Sequence, residues 1–146
     1  MADHFVNIHI INNTDIEFTT PADPWLDSGR MDDNQDTTIP KLGKVTTRFY
    51  PDGAGVSGYM TWLAGEDVSL SLCIAFSNPL MGHNKLDIAV INDIFTTGKE
   101  LWDAMDNHDY QFFDKDLSIG GGLLKAHCIC SGGGTNDATI TLENKS

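Results

Sequence analysis

Basic side chains are scarce in this chain. Its 146 residues hold nine lysines and arginines against 21 aspartates and glutamates, a formal charge of −12. A phosphate backbone needs a basic stripe, so this balance excludes nucleic acid as a partner. It also argues against simple electrostatic attraction to anionic lipid. Neutral partners such as sugars, or zwitterionic headgroups, stay open. Cysteine is sparse too. There are three, with no CxxC pair, so neither a disulfide framework nor a zinc site of that type is expected. Cys128 and Cys130 on a strand would point to the same face about 7 Å apart, too far for a bridge. All three are expected as buried thiols in a reducing compartment. No segment approaches the length of a membrane span. The start, Met1-Ala2-Asp3-His4-Phe5, has no basic n-region and no useful apolar h-region. The expected location is cytoplasmic, or outside the cell after release without a conventional signal peptide.

Catalytic signatures are lacking as well. There is no GxSxG elbow and no phosphate-binding glycine loop, since Gly120-Gly121-Gly122 is not followed by a lysine and a helix. None of the five histidines, His4, His9, His83, His108 and His127, belongs to a helical pair at metal-ligand spacing. His108 and Asp109 are adjacent, and neighbours on a strand face opposite ways. The acidic run Asp32-Asp33-Asn34-Gln35-Asp36 lacks the glycine and the distal glutamate of a calcium loop. The chain is therefore read as a non-enzyme with no metal and no cofactor.

What the sequence does contain is strand. Val68, Leu70, Leu72, Ile74 and Phe76 share one parity, while Ser69, Ser71, Cys73, Ala75 and Ser77 share the other. That period of two marks a half-buried strand with a large apolar face and a small or polar one. The chain breaks at Ser77-Asn78-Pro79 and resumes from Leu86 to Ile91, a hairpin expected at the centre of a sheet, its connecting loop walling a binding site. Further strands are expected over Phe5–Ile11, Ile16–Thr20, Lys44–Tyr50, Gly55–Leu63, Tyr110–Phe113, Leu123–Ser131 and Asp137–Glu143. From Asp23 to Lys41 the pattern predicts a long irregular acidic loop anchored by Trp25 and Leu26. Thr97-Gly98-Lys99-Glu100 has the spacing of a capping box, and Leu101, Trp102 and Met105 continue it as the apolar stripe of one helix ending at Asn107. Many short strands and one main helix, with 14 glycines for turns, predict an all-β sandwich forming a single domain over residues 1–146.

These features resemble the cytolysin/lectin superfamily, which joins sea-anemone actinoporins and fungal fruit-body lectins on one β-sandwich fold. The resemblance runs from Phe5 to Leu142. It rests on the strand order, the Gly55-x-Ser57-Gly58 strand start, the Phe76-Ser77-Asn78-Pro79 break and the C-terminal hairpin. Two branches imply two functions. In the lectin branch, His83-Asn84-Lys85-Leu86-Asp87-Ile88 resembles the loop before the central strand. Asp87 and Ile88 match a sugar-binding pair, Lys99 falls on a sugar-contacting arginine, and Tyr110 falls on a binding-site tyrosine. Val90 stands where that branch has a threonine, and Lys85 and Leu86 where it has a tryptophan and a cysteine. The implied function is a carbohydrate-binding lectin for galactose or N-acetylhexosamine-type glycans, without catalysis and assembled as a homo-oligomer.

In the actinoporin branch, Trp25-Leu26-Asp27-Ser28-Gly29 and Ile74-Ala75-Phe76-Ser77-Asn78-Pro79 carry the likeness. Ser28, Ser77 and Pro79 match positions lining a phosphocholine site, and Trp102 stands for a cage tyrosine. The alternative function is thus a membrane-binding cytolysin, a hemolysin recognising a zwitterionic lipid headgroup in toxin or defence roles. The chain lacks two actinoporin features, an amphipathic N-terminal helix and an aromatic-rich loop after the proline. The chemistry of the sugar set stands apart from any resemblance: Asp87 can accept from two hydroxyls, Lys99 can donate to a third, and Tyr110 offers a flat face and a hydroxyl. Each residue also has an ordinary role, Asp87 as a turn or capping group, Lys99 as a solvated helix lysine, and Tyr110 as core.

Overall fold

The computed structural model describes residues 4–19, 23–32, 37–64, 67–79, 84–92, 97–105, 111–119, 122–131 and 134–145. The chain begins with β1 (Val6–Asn13) and β2 (Phe18–Thr19), each alternating buried and less buried side chains. The stretch expected as one irregular loop contains two short strands, β3 (Trp25–Ser28) and β4 (Arg30–Met31). Both are hydrogen-bonded to longer neighbours, so their structure comes from pairing rather than from any pattern of their own. Then follow β5 (Gly43–Tyr50), β6 (Gly55–Ala64), β7 (Asp67–Pro79) and β8 (Lys85–Asn92). The helix α1 (Gly98–Asp103) precedes β9 (Gln111–Ile119), β10 (Gly122–Cys130) and β11 (Asn136–Asn144).

The strands form two sheets. The first runs β4-β5-β1-β11-β10-β9, with β1 parallel to β11. The second runs β2-β6-β7-β8, with β3 also paired to β6. The hairpin of β7 and β8 is present, but β8 lies at the edge of its sheet, not at the centre. The strand β7 also runs through Ser77, Asn78 and Pro79 instead of breaking before them. This is permitted because Pro79 is the strand's last residue, where a missing donor costs least.

Alternation explains the packing. Val6, Ile8 and Ile10 of β1, Ala138, Ile140 and Leu142 of β11, and Leu72, Ile74 and Phe76 of β7 all turn into one core between the sheets. Phe49 and Phe76 meet across it with ring centroids 4.4 Å apart. Trp62 is wholly buried there, and its indole N–H donates to the Thr37 carbonyl at 2.9 Å, tying the segment after β4 to the core. The opposite parity of β7 places small residues, Cys73 and Ala75, on the outer face. Their size leaves room for α1, whose Leu101 lies against them together with Met105. Burying a leucine of this kind stabilises by about 1.5–3 kcal/mol. The N-cap is the one read from the spacing, with the Thr97 hydroxyl accepting from the Glu100 N–H at 3.2 Å. The helix closes at Asp103, sooner than the stripe to Asn107 implied.

All three cysteines are buried thiols. Burial, with a smaller contribution from the charge of Asp87, pushes the Cys73 and Cys128 thiols up to about 12, which leaves them unreactive.

Candidate ligand-binding site

On the outer face of the second sheet, β3, β6 and β7 set side chains in rows. Residues directly opposite on paired strands share a face. One row is Ser28, Ser57 and Ser77, continued by Lys85 on β8. The next row is Trp25, Tyr59, Ala75 and Asp87. The helix α1 lies over this face and lowers Trp102 beside the first row, where its indole N–H donates to Ser57 Oγ at 2.9 Å. Trp25 then stacks on Tyr59, with centroids 5.4 Å apart and planes 24° apart. Its other neighbour is Trp102, edge-on at 5.1 Å. Three aromatic residues from three elements thus make one shelf, backed by a serine hydroxyl. Trp25 is its outermost member, 37% exposed.

Two glycines make the shelf possible. A Cβ on Gly58 would sit 2.2 Å from the Trp25 carbonyl oxygen, so only glycine lets β3 close on β6 here. A Cβ on Gly98 would sit 2.2 Å from the Tyr59 ring, so glycine in the first helical turn lets α1 settle onto it. A bulge between Leu26 and Ser28 returns Ser28 to register opposite Ser57.

Lys99 extends over this shelf. Its ammonium lies 5.2 Å from the Trp102 ring centroid and 5.8 Å from that of Trp25, both inside the reach of a cation–π contact. It also meets both carboxylate oxygens of Asp103, one turn on, at 3.2 Å. The faces of two indoles therefore already hold a cation supplied by the chain itself.

The residues expected to hold a headgroup come together on this surface. Ser28 and Ser77 flank Ser57 on neighbouring strands, Trp102 bonds to Ser57, and Pro79 lies further along β7 opposite Gly55. The residues expected to hold a sugar are placed differently. Asp87 is half-buried at the edge strand. One of its oxygens accepts from the Ile88 N–H at 2.8 Å and from the Lys115 ammonium at 2.9 Å. Lys115 sits on β9, so this ion pair joins the edges of the two sheets, and Asp87 acts as a strut. The Ile88 side chain is fully buried in the core and offers a ligand only its main chain. Lys99 lies over the indoles, and Tyr110 lies outside the described residues, as does most of the loop after Pro79. Trp25, Tyr59 and Ser57 are the members that sequence reasoning did not select. The available signal was the Gly55-x-Ser57-Gly58 start of β6, whose second glycine marks a close backbone approach.

Among the described residues, no group of three or more His, Cys, Asp or Glu side chains could hold a metal ion, and no helix is long and apolar enough to cross a membrane.

The fold is shared with solved structures, a lipid binding protein and a lectin among them. The lipid binding protein Nakanori superposes with a TM-score of 0.70 at 15% identity, covering 96% of this chain and 71% of that one. The Xerocomus chrysenteron lectin gives a TM-score of 0.56 at 10% identity over 97% of this chain and 99% of that one. IP-1A from Alcaligenes faecalis gives 0.52 at 16% identity over 97% and 91%. No family model matches the sequence, and no curated protein matches it. At these identities the likeness speaks for the fold, a β-sandwich shared by a lectin and a lipid-binding protein, and not for a ligand.

Proposed function

We propose that this chain is a non-catalytic binding protein that takes the zwitterionic headgroup of a choline-type lipid on the shelf of Trp25, Tyr59 and Trp102. The observation that carries this reading is the in-register row Ser28, Ser57 and Ser77 beside three aromatic rings. Indole faces attract a quaternary ammonium, and serine hydroxyls donate to the phosphate next to it. The charge of −12 supports a surface of zwitterionic lipid over one of anionic lipid. Nakanori, described as lipid-binding, shares the fold. Membrane lysis, the hemolysin activity, would be a further step after such surface binding.

A glycan is the second reading, a lectin for galactose or N-acetylhexosamine-type sugars that gains strength as a homo-oligomer. One observation favours it: Lys99 already occupies the indole faces, and a sugar can use that ammonium as a donor where a choline must displace it. The Xerocomus lectin shares the fold.

Co-sedimentation with vesicles of sphingomyelin or phosphatidylcholine, against vesicles of phosphatidylethanolamine, tests the first reading. Binding to the choline lipids is expected, falling by about thirtyfold or more in Trp25→Ala, the scale of an aromatic anchor lost. Equal sedimentation of Trp25→Ala and wild type would overturn it. Intact binding on a glycan array with no vesicle binding would pass the shelf to the second reading.

A further inference from the structure

The first sheet carries its own hollow, on the side of the sandwich away from the shelf. It is an open depression of about 250 Å³ lined by Phe5, Asn7, Arg48, Tyr50 and Thr135. That is below the usual range of about 300–1,000 Å³ for larger small-molecule sites, and suits a single ring. Arg48, Asn7 and Asp137 lie in one row across β5, β1 and β11. Their side chains are chained by hydrogen bonds: Arg48 Nε donates to Asn7 Oδ1 at 2.9 Å, and Asn7 Nδ2 donates to Asp137 Oδ1 at 3.0 Å. This chain fixes the direction of the guanidinium fork before any ligand arrives. The aromatic side of the hollow is equally ordered. Phe5 and Tyr50 meet edge to face at 77°, with centroids 5.4 Å apart. Behind Tyr50 stands Arg30, whose guanidinium carbon is 4.8 Å from the ring centroid. The chain has only two arginines among its 146 residues, one over the Tyr50 ring and the other lining the hollow with it.

We infer that this hollow binds a single hexuronic acid unit, a pyranose bearing one carboxylate. Arg48 takes the carboxylate, the Phe5 and Tyr50 rings take the C–H face of the sugar, and Thr135 serves its hydroxyls. An arginine fork matches a carboxylate's two oxygens, which an isolated neutral hydroxyl does not offer. Among the described residues two carboxylates flank the site, Asp137 behind Asn7 and Asp32 at 3.5 Å from the Tyr50 hydroxyl. They repel a dianion such as phosphate more than a singly charged carboxylate. The inference does not depend on the shelf, which faces the other way on the other sheet.

Amide NMR titration of the whole chain with methyl glucuronoside, against neutral methyl glucoside, tests it. The expected result is shift changes centred on Asn7, Arg48 and Thr135 with the acid, and binding weaker by about tenfold or more with the neutral sugar. Arg48→Gln should lose the same factor, and Thr135→Val a smaller one. Trp25→Ala should bind the acid as wild type does, which separates this site from the shelf. A melting curve checks that Arg48→Gln is folded; should it not be, Asn7→Asp, which sets a carboxylate against the guanidinium, takes its place with the same expected loss. Equal affinity for the two sugars would overturn the inference, as would shifts confined to other residues, no shifts with either sugar, or an unchanged Arg48→Gln.

Discussion

Replacing Lys99 by alanine separates the two readings of the shelf by the sign of its effect. The ammonium makes two cation–π contacts, each about 0.5–1 kcal/mol for a partly exposed pair. The ion pair with Asp103 is of the i,i+4 helix type and half exposed, so it adds about 0.3–0.5 kcal/mol at most. A quaternary ammonium that takes the indole faces must first dislodge Lys99, at a cost of about 1–2 kcal/mol. Removing the lysine removes that cost. Affinity for soluble phosphocholine, followed by tryptophan fluorescence, should therefore rise in Lys99→Ala by about fivefold to thirtyfold. Lys99→Arg keeps a cation on the rings and should not show the gain. A sugar that accepts a hydrogen bond from the ammonium behaves oppositely. It loses a charged hydrogen bond of about 1.5–3 kcal/mol and weakens by about tenfold or more. Alanine is the best helix former, so the exposed turn itself does not suffer. If Lys99→Ala left both phosphocholine and glycan binding unchanged, Lys99 would not be lodged over the rings in solution, and the account of the shelf as a self-occupied cation site would fail.

Three other perturbations follow from the same geometry. Gly98→Val drives a branched side chain into the Tyr59 ring, which Trp25 blocks on one side, so chemical denaturation should show a loss of about 1–3 kcal/mol, together with altered tryptophan emission; an unchanged midpoint would mean that α1 does not press on Tyr59. Asp87→Ala removes the acceptor of both the Ile88 N–H and the Lys115 ammonium, and should cost about 1–3 kcal/mol in urea titration while choline binding by the folded fraction persists. Full stability with glycan binding abolished would instead make Asp87 a ligand group. His127 accounts for a pH effect. Its two ring nitrogens meet Glu143 and Asp114 at 2.7 Å each, and these bonds, first Glu143 and then Asp114, raise its pKa above the ordinary 6.5. A folded-state pKa that is raised means stability held in full below 6.5 and surrendered as pH climbs through the higher folded value. His127→Gln should flatten that slope at low salt, and an NMR titration placing His127 at or below 6.5 would refute the assignment.

The parts of this structure that were legible in the sequence are those set by neighbours along the chain. The alternation of β7 predicted a strand with one large apolar face and one small or polar face, and in the structure the small face, Cys73 and Ala75, is the one that takes the helix while Leu72, Ile74 and Phe76 enter the core. The N-cap of α1 was legible for the same reason, since Thr97 and Glu100 are one turn apart. The strands β3 and β4 were not. Neither has a hydrophobic period, and both are held by partners far along the chain, Ser57 to Tyr59 for one and Phe49 to Tyr50 for the other.

The candidate site divides along the same line. Asp87 was visible as a carboxylate at a strand mouth, but its partner Lys115 lies 28 positions on and in the other sheet, so the strut could not be told from a ligand group. Trp25 and Trp102 are 77 positions apart, and nothing local in either segment marks them as neighbours. What brings them together is the pair of absent side chains at Gly58 and Gly98, each the width of one methyl group. A binding surface made this way depends on close approach between elements. It should therefore tolerate changes in its exposed polar rim far better than an added carbon beneath it, and Gly58→Ala, which would meet the Trp25 carbonyl and the Leu26 backbone, should be more damaging than Gly98→Ala, which would meet a side-chain ring.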